Sequence, residues 1–215
     1  MAGGTNREFK GRRWHAALYG FLDRKNEESM QGHLTYIVGG AEGRVLEIGA
    51  GTGHSFPYYE KASEVVATEP DPFMLAQARK RLEELGLTHV ELYQHVAEDL
   101  PFEDGSFDHV VSVLVLCTVK DARSALSEVR RVLKPGGTLR FIEHVRYDGG
   151  LRGLVQDAIA PVWRLLGSGC HVNRRTAESI VEAGFQLVDL QRHVMGPGIP
   201  LLVGVARPVS LGIAS

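Results

Sequence analysis

An α/β architecture, a mostly parallel sheet with helices on both faces, is predicted by three features of this chain. Apolar runs of strand length alternate with helical stretches from residue 45 to residue 144, which implies right-handed crossovers between parallel strands. A glycine turn, Gly49-Ala50-Gly51-Thr52-Gly53, follows the first of these runs. The run from Asp108 to Val113 is nearly continuous in apolar residues, the pattern of a strand covered on both faces.

The elements follow in order. Residues 7–38 read as helical in two pieces, broken near 23–28, with Trp14, Leu18, Phe21 and Leu22 on one face and Arg7, Lys10, Arg12, Arg13, Arg24 and Lys25 making the segment basic. This is either a packing helix with a solvated charged face, a lid, or an arm that lies on an anionic membrane surface. A strand from Val45 leads into the glycine turn. A short helix over about 54–60 carries Pro57 in its first turn, where the missing N–H costs nothing. The second strand, 63–68, ends in Glu69. Asp71 to Leu85 reads as a helix with Leu75, Ala78, Leu82 and Leu85 on one side and Gly86 as its stop. Strands at 90–95 and 108–113 precede a helix capped by Asp121 and running to Val132, with Ala122, Ala125, Leu126 and Val129 facing inward. Leu133-Lys134-Pro135-Gly136-Gly137 reads as a turn before the fifth strand, 138–144. Helices at 151–166 and 174–183 flank Gly167-Ser168-Gly169-Cys170-His171, and 186–193 pairs with 201–206 as a closing hairpin. Seven strands result.

The glycines and Glu69 belong together. Glycine at alternating positions lets the backbone take positive φ and approach a ligand that any Cβ would hold away. Glu69, about 20 residues further on, stands where a ribose diol would lie in a nucleoside pocket. The dinucleotide fingerprint G-x-G-x-x-G is incomplete, because the frame runs Gly49-x-Gly51-x-x-His54. Glu47, two residues before the first glycine, would repel a pyrophosphate and suits a ligand carrying an ammonium or sulfonium group.

Size and charge narrow the partners. The chain has 215 residues, 24 Lys plus Arg against 26 Asp plus Glu, and a formal charge of -2. This balance argues for one domain and against a general electrostatic grip on nucleic acid, which needs a basic face. Cys117 and Cys170 have no zinc-like spacing, so no metal site is expected, and so sparse a pair suggests a reduced, cytosolic setting. No apolar run reaches the length of a spanning helix and no signal-peptide pattern opens the chain.

Four motifs carry a family resemblance: Glu47-x-Gly49-x-Gly51-x-Gly53 with Glu69, Ala97-Glu98-Asp99-Leu100-Pro101-Phe102 after the third strand, Ser106-Phe107-Asp108-His109-Val110-Val111-Ser112, and Leu133-Lys134-Pro135-Gly136-Gly137. In this order and at this spacing the chain resembles the class I methyltransferases that use S-adenosylmethionine, over roughly residues 40–145. The resemblance implies a Rossmann-like sheet of seven strands with an antiparallel hairpin at its C-terminal end. The cofactor is then S-adenosylmethionine and the product S-adenosylhomocysteine. Residues 41–215 would form the methyltransferase domain, with 1–40 a helical lid or arm packed on it. Glu47, Gly49, Ala50, Gly51, Gly53 and Pro70 would bind the cofactor, with Glu69 as the ribose acid and Ala97 and Glu98 or Asp99 flanking the adenine. Val113 and Leu114 complete the implied cofactor set.

The acceptor side is less determined. Leu114-Val115-Leu116-Cys117-Thr118-Val119-Lys120, Phe141-Ile142-Glu143-His144-Val145, and Gly169-Cys170 with Arg174 or Arg175 resemble the animal alkyl-thiol methyltransferases of membrane surfaces. Bacterial phosphatidylethanolamine N-methyltransferases and quinone C-methyltransferases share the core. The resemblance implies a small acceptor, a thiol first, with a phospholipid amine, quinone or phenol as alternatives. His144 is the candidate general base or, equally, a core histidine without a chemical role. Cys117 reads as a small buried residue rather than a nucleophile. Cys117, Asp157 and His171 are the candidate acceptor-lining residues. Ser112-Val113-Leu114-Val115 lacks the Asn/Asp-Pro-Pro-Tyr motif of enzymes that methylate nucleic acid bases or glutamine. The rival readings are a nonenzymatic nucleoside-binding module and a nicotinamide oxidoreductase, the latter disfavoured by His54. A cytoplasmic protein is expected, with peripheral membrane contact through the N-terminal helix as the alternative.

Overall fold

A computed structural model describes residues 29–166, 169–196 and 198–209, together with Gly11 and Ala16. Most of the expected N-terminal arm therefore lies outside the described residues; its last part, residues 29–37, is helical and is called α1. The sheet has seven strands: β1 (Gly43–Ile48), β2 (Ala62–Thr68), β3 (Val90–Tyr93), β4 (Phe107–Val113), β5 (Leu133–His144), β6 (Phe185–Met195) and β7 (Ile199–Pro208). The helices that follow α1 are α2 (Pro72–Leu85), α3 (Ala122–Val132), α4 (Gly150–Leu166) and α5 (Thr176–Glu182).

Strand order is β3-β2-β1-β4-β5-β7-β6. The first five strands are parallel, and β7 inserts antiparallel between β5 and β6. The order reverses between β1 and β4, and in an open α/β sheet the crevice at the carboxyl ends of such strands is where ligands bind. Two apolar clusters fill the two faces. Leu46, Ile48, Val110, Leu139 and Phe141 point to one, Val45, Val65, Val111 and Ile142 to the other. Alternation along strands apolar at both parities explains why β4 reads as a continuous run.

Local chemistry accounts for the helix ends. The Asp71 carboxylate accepts hydrogen bonds from the backbone of Phe73 and Met74, Pro72 opens α2, and Gly86 closes it at φ 64°. Asp121 caps α3 in the same way through Arg123 and Ser124.

Three expectations need correction. The helix expected over 54–60 is a single 3-10 turn, Phe56–Tyr58, closed by i→i+3 bonds from Tyr58 to Ser55 and from Tyr59 to Phe56; Pro57 and the glycine turn before it leave no room for a full α-turn. The turn expected at 133–137 is the bulged entry to β5, which pairs Leu133 with Phe107 and then shifts register to pair Thr138 with His109. Leu85, expected to face inward, is exposed at the end of α2, opposite the short edge strand β3.

Candidate functional site

The turn after β1 takes positive φ at all three glycines: 63° at Gly49, 57° at Gly51 and 79° at Gly53. Their surroundings differ. A Cβ on Gly49 would stand 2.5 Å from Val115 Cγ2, whereas a Cβ on Gly51 would meet no atom within 4 Å among the described residues. Protein packing therefore explains Gly49, and Gly51 is left as a bare stretch of backbone beside open space, the cradle a ligand would fill. Ala50, between them, is buried.

Glu69 ties the two strand tips together. One carboxylate oxygen accepts from the Gly51 amide at 2.9 Å and the other from the Asp71 amide at 2.8 Å. A carboxylate has about four lone-pair positions, so two remain for ribose hydroxyls. Pro70 turns the chain here, its carbonyl accepting from Gln94. Gly11, one of the two described residues that precede α1, also lies here: a Cβ on it would stand 2.2 Å from Asp71 Oδ1.

Glu47 lies buried beside the turn, with one oxygen accepting from the Ser55 hydroxyl at 2.6 Å. Among the described residues its other oxygen and the Tyr59 hydroxyl are buried without a hydrogen-bond partner, yet they are close enough to act on each other, and burial together with the Glu47 charge drives the Tyr59 hydroxyl well above its usual range. Burial raises Glu47 to about 7, offset in part by Ser55 and Tyr59. Burial likewise raises Glu69 to about 7, offset by the Asp71 and Gly51 amides. Two buried carboxylates poised near neutrality beside an open backbone cradle fit a cationic nucleoside such as S-adenosylmethionine.

A pH dependence follows. A carboxyl raised above its unfolded value stabilises the fold fully below about pH 4.5, and that contribution is lost as pH rises through about 7, on the order of 3 kcal/mol for one such group. The unliganded chain should lose stability over this window, and Glu69→Gln should flatten the loss. A bound sulfonium favours the ionised carboxylates. Calorimetry between about pH 6 and 8 should therefore show S-adenosylmethionine binding more tightly as pH rises, and neutral-sulfur S-adenosylhomocysteine responding less. Equal responses would remove the electrostatic role of these acids.

Ala97 is buried, in keeping with a place against an adenine. The Glu98 carboxylate is engaged elsewhere, accepting from the Lys120 and Asp121 amides at 3.0 and 3.3 Å and so tying the loop after β3 to the start of α3. Val113 ends β4, and Leu114 takes φ 58°, the one non-glycine residue with positive φ among those described.

The chain passes Leu114 in this conformation because Glu143 holds the turn beyond it. Glu143, on β5, is fully buried and accepts from the Ser112 hydroxyl at 2.6 Å and from the Val115, Leu116 and Cys117 amides at 3.1, 2.9 and 3.0 Å. Sequence reasoning quoted Glu143 but assigned it no task; the available signal was an acid inside the apolar run of a central strand.

Beyond this turn, Cys117, His144 and Cys170 converge. Cys170 Sγ lies 3.5 Å from Cys117 Sγ and 3.5 Å from His144 Nδ1, all three residues being buried. The cysteine contact and burial push the Cys117 thiol well up, while the same contact, helped by His144, draws Cys170 down. Among the described residues His144 Nε2 is buried without a partner. His171 and Asp157, the other candidates on the acceptor side, brace the roof. His171 contacts the Cys117 carbonyl through its amide and through Nδ1. Asp157 pairs with Arg146 at 2.7 Å and accepts from Asn173. Gln156 of α4 donates to the Val145 and Val172 carbonyls, and Arg174 to those of Leu116 and Val119. Thus α4 and the 169–174 loop are fastened over the ends of β4 and β5.

Comparison with known proteins decides the family. The family model described as a methyltransferase domain matches residues 46–141. Thiol S-methyltransferase TMT1B of Homo sapiens is 34% identical over 82% of this chain and 80% of its own length. Phosphatidylethanolamine N-methyltransferase of Cereibacter sphaeroides is 35% identical over 90% of this chain and 92% of its own length. The chain belongs to the methyltransferase family.

This methyltransferase uses S-adenosylmethionine, and the seven-stranded Rossmann-like fold read from its sequence is the one it has. The crystal structure of the YcgJ protein of Bacillus subtilis superposes with a TM-score of 0.70 over 85% of this chain and 99% of that one, at 18% identity. Among the described residues of the methyltransferase no helix is long and apolar enough to cross a membrane.

Proposed function

We propose that this methyltransferase transfers the methyl group to the sulfur of a small, lipophilic thiol. The observation that carries this reading is the cluster of Cys117, His144 and Cys170 at the carboxyl ends of β4 and β5, in a chain akin to a thiol S-methyltransferase. S-adenosylmethionine supplies a methyl group on a sulfonium, already activated towards displacement by a nucleophile in line with its carbon–sulfur bond. The chain's task is to align the acceptor and keep water out, which can supply roughly 7 to 11 kcal/mol of the barrier reduction. Gly49, Ala50, Gly51 and Gly53, with Glu47 beside them, receive the methionine end, Glu69 and Pro70 the ribose, Ala97 the adenine edge, and Val113 and Leu114 the floor. The Glu98 carboxylate fixes the loop that carries Ala97. His144 promotes loss of the acceptor's proton, and Cys117 and His171 shape the acceptor pocket. Asp157 acts at one remove, by holding α4 through Arg146.

A lipophilic acceptor is supported by α4, where Leu151, Leu154, Val155, Ile159 and Val162 are each at least half exposed and Arg152 stands among them. The same face supports a second reading, a phosphatidylethanolamine acceptor met at a membrane surface, since a relative bears that name. Residues 1–40, with Gly11 beside Asp71, would close over the donor as a lid. A cytoplasmic protein with peripheral membrane contact is the setting this reading favours.

The test is transfer of label from S-adenosylmethionine to a panel of alkyl thiols, phosphatidylethanolamine vesicles, quinols and phenols. Label should enter the thiols, and His144→Ala should slow turnover about 100-fold or more while leaving S-adenosylhomocysteine affinity nearly unchanged. Label confined to the vesicles selects the phospholipid reading. A wild-type rate in the variant removes the role of His144.

A further inference from the structure

We propose that Cys117, His144 and Cys170 form a zinc site with one open coordination position. The ligand atoms of the three residues lie within 4.8 Å of one another and all are buried. Two of the three edges match a tetrahedral site, and the third lies within 4.8 Å. An ion about 2.3 Å from sulfur and about 2.05 Å from nitrogen sets sulfur–sulfur edges of about 3.8 Å and sulfur–nitrogen edges of about 3.6 Å. The observed edges are 3.5 Å between the sulfurs and 3.5 Å between Cys170 Sγ and His144 Nδ1. A disulfide, by contrast, needs about 2.05 Å between sulfurs, so the pair sits closer to the edge of a coordination sphere than to a bond.

The ligands are also held in advance. Cys117 hangs from the turn that Glu143 anchors through three amides. Cys170 hangs from the loop that His171 and Arg174 fasten to the Cys117, Leu116 and Val119 carbonyls. His144 closes β5. Two cysteines and one histidine leave the fourth position of a zinc ion free, as in sites that do chemistry rather than structural ones. Two thiolates cancel the charge of the ion, so the buried site is neutral once their protons are released.

The open position gives the site a use, and this part rests on the thiol reading above. An acceptor thiol that coordinates there gives its S–H proton to solvent and is held as a thiolate. As the bond from that sulfur to the methyl carbon forms, the donor's carbon–sulfur bond breaks and its electron pair stays on the donor sulfur, which becomes neutral. His144 then promotes proton loss as a ligand of the ion.

The experiment uses the full chain, reduced and stripped of metal with a chelator, and titrates zinc against a chromophoric competitor. One equivalent should bind, and cobalt substituted for zinc should show thiolate charge-transfer bands and the visible bands of a tetrahedral ion. Cys117→Ser, Cys170→Ser and His144→Ala should each weaken zinc binding by at least about 100-fold, beyond what outer-shell changes cost. S-adenosylhomocysteine affinity, measured on the same variants, reports whether each is folded. Zinc that fails to bind the reduced wild-type chain, or that binds the folded Cys117→Ser/Cys170→Ser double variant equally well, overturns the site. Thiol methylation by a chain that binds no zinc leaves the thiol reading standing and rejects the metal; a zinc-bound chain that labels only phospholipid does the reverse.

Discussion

Replacing Glu143 by alanine should lower the unfolding free energy by about 3–5 kcal/mol, because it strips the partner from four buried donors at once. The Ser112 hydroxyl and the Val115, Leu116 and Cys117 amides all point at this carboxylate, and all four residues are buried. The conformation of Leu114 at φ 58° is an added strain that these bonds hold in place; positive φ costs a non-glycine residue roughly 1–2 kcal/mol. Glu143→Gln keeps the size and one acceptor oxygen but turns an amide donor towards backbone donors, so a smaller loss of about 1–3 kcal/mol is expected. Denaturant unfolding of the three proteins measures both. A loss below about 1 kcal/mol for the alanine variant would mean that the turn finds other partners, and the account of the acceptor-side scaffold given above would not stand.

Glu143 also marks where sequence reasoning stops. The strand and helix pattern, the Asp121 cap, the Gly86 stop and the glycine turn were legible because each is set by residues close in the chain: Asp121 accepts from the Arg123 and Ser124 amides, and Gly86 ends the helix that Asp71, read as its first residue, in fact caps. The link between Glu69 and the glycine turn was legible because Glu69 lies about 20 residues beyond the turn, and its bond to the Gly51 amide joins two neighbouring strand tips. The roles of Glu98 and Asp157 were not, because both carboxylates bond to partners far along the chain, Glu98 to residues 120 and 121 and Asp157 to Arg146 and Asn173. The cluster of Cys117 and Cys170 was invisible to spacing rules for the same reason. The two thiols, 53 positions apart in the chain, come together only when the loop after α4 folds down onto the turn after β4.

Gly51→Ala and Gly49→Ala should separate binding from folding, though the two residues stand two positions apart in one turn. At Gly49 the added methyl meets Val115 at 2.5 Å as well as the strain of φ 63°, and a stability loss of about 2–5 kcal/mol is expected from the two together. At Gly51 nothing among the described residues lies within 4 Å of the added methyl, so only the strain of positive φ remains, roughly 1–2 kcal/mol. The space that the methyl enters is the one that the nucleoside would fill, and overpacking there should weaken S-adenosylhomocysteine binding by at least about 30-fold. Thermal unfolding without ligand, set beside calorimetric titration of the same samples, reads the two effects apart. A Gly51→Ala protein that binds like the wild type would show that the ligand does not lie against this backbone. The bare backbone at Gly51, between β1 and β2, would then need another explanation, and so would the Glu69 bond that positions its amide.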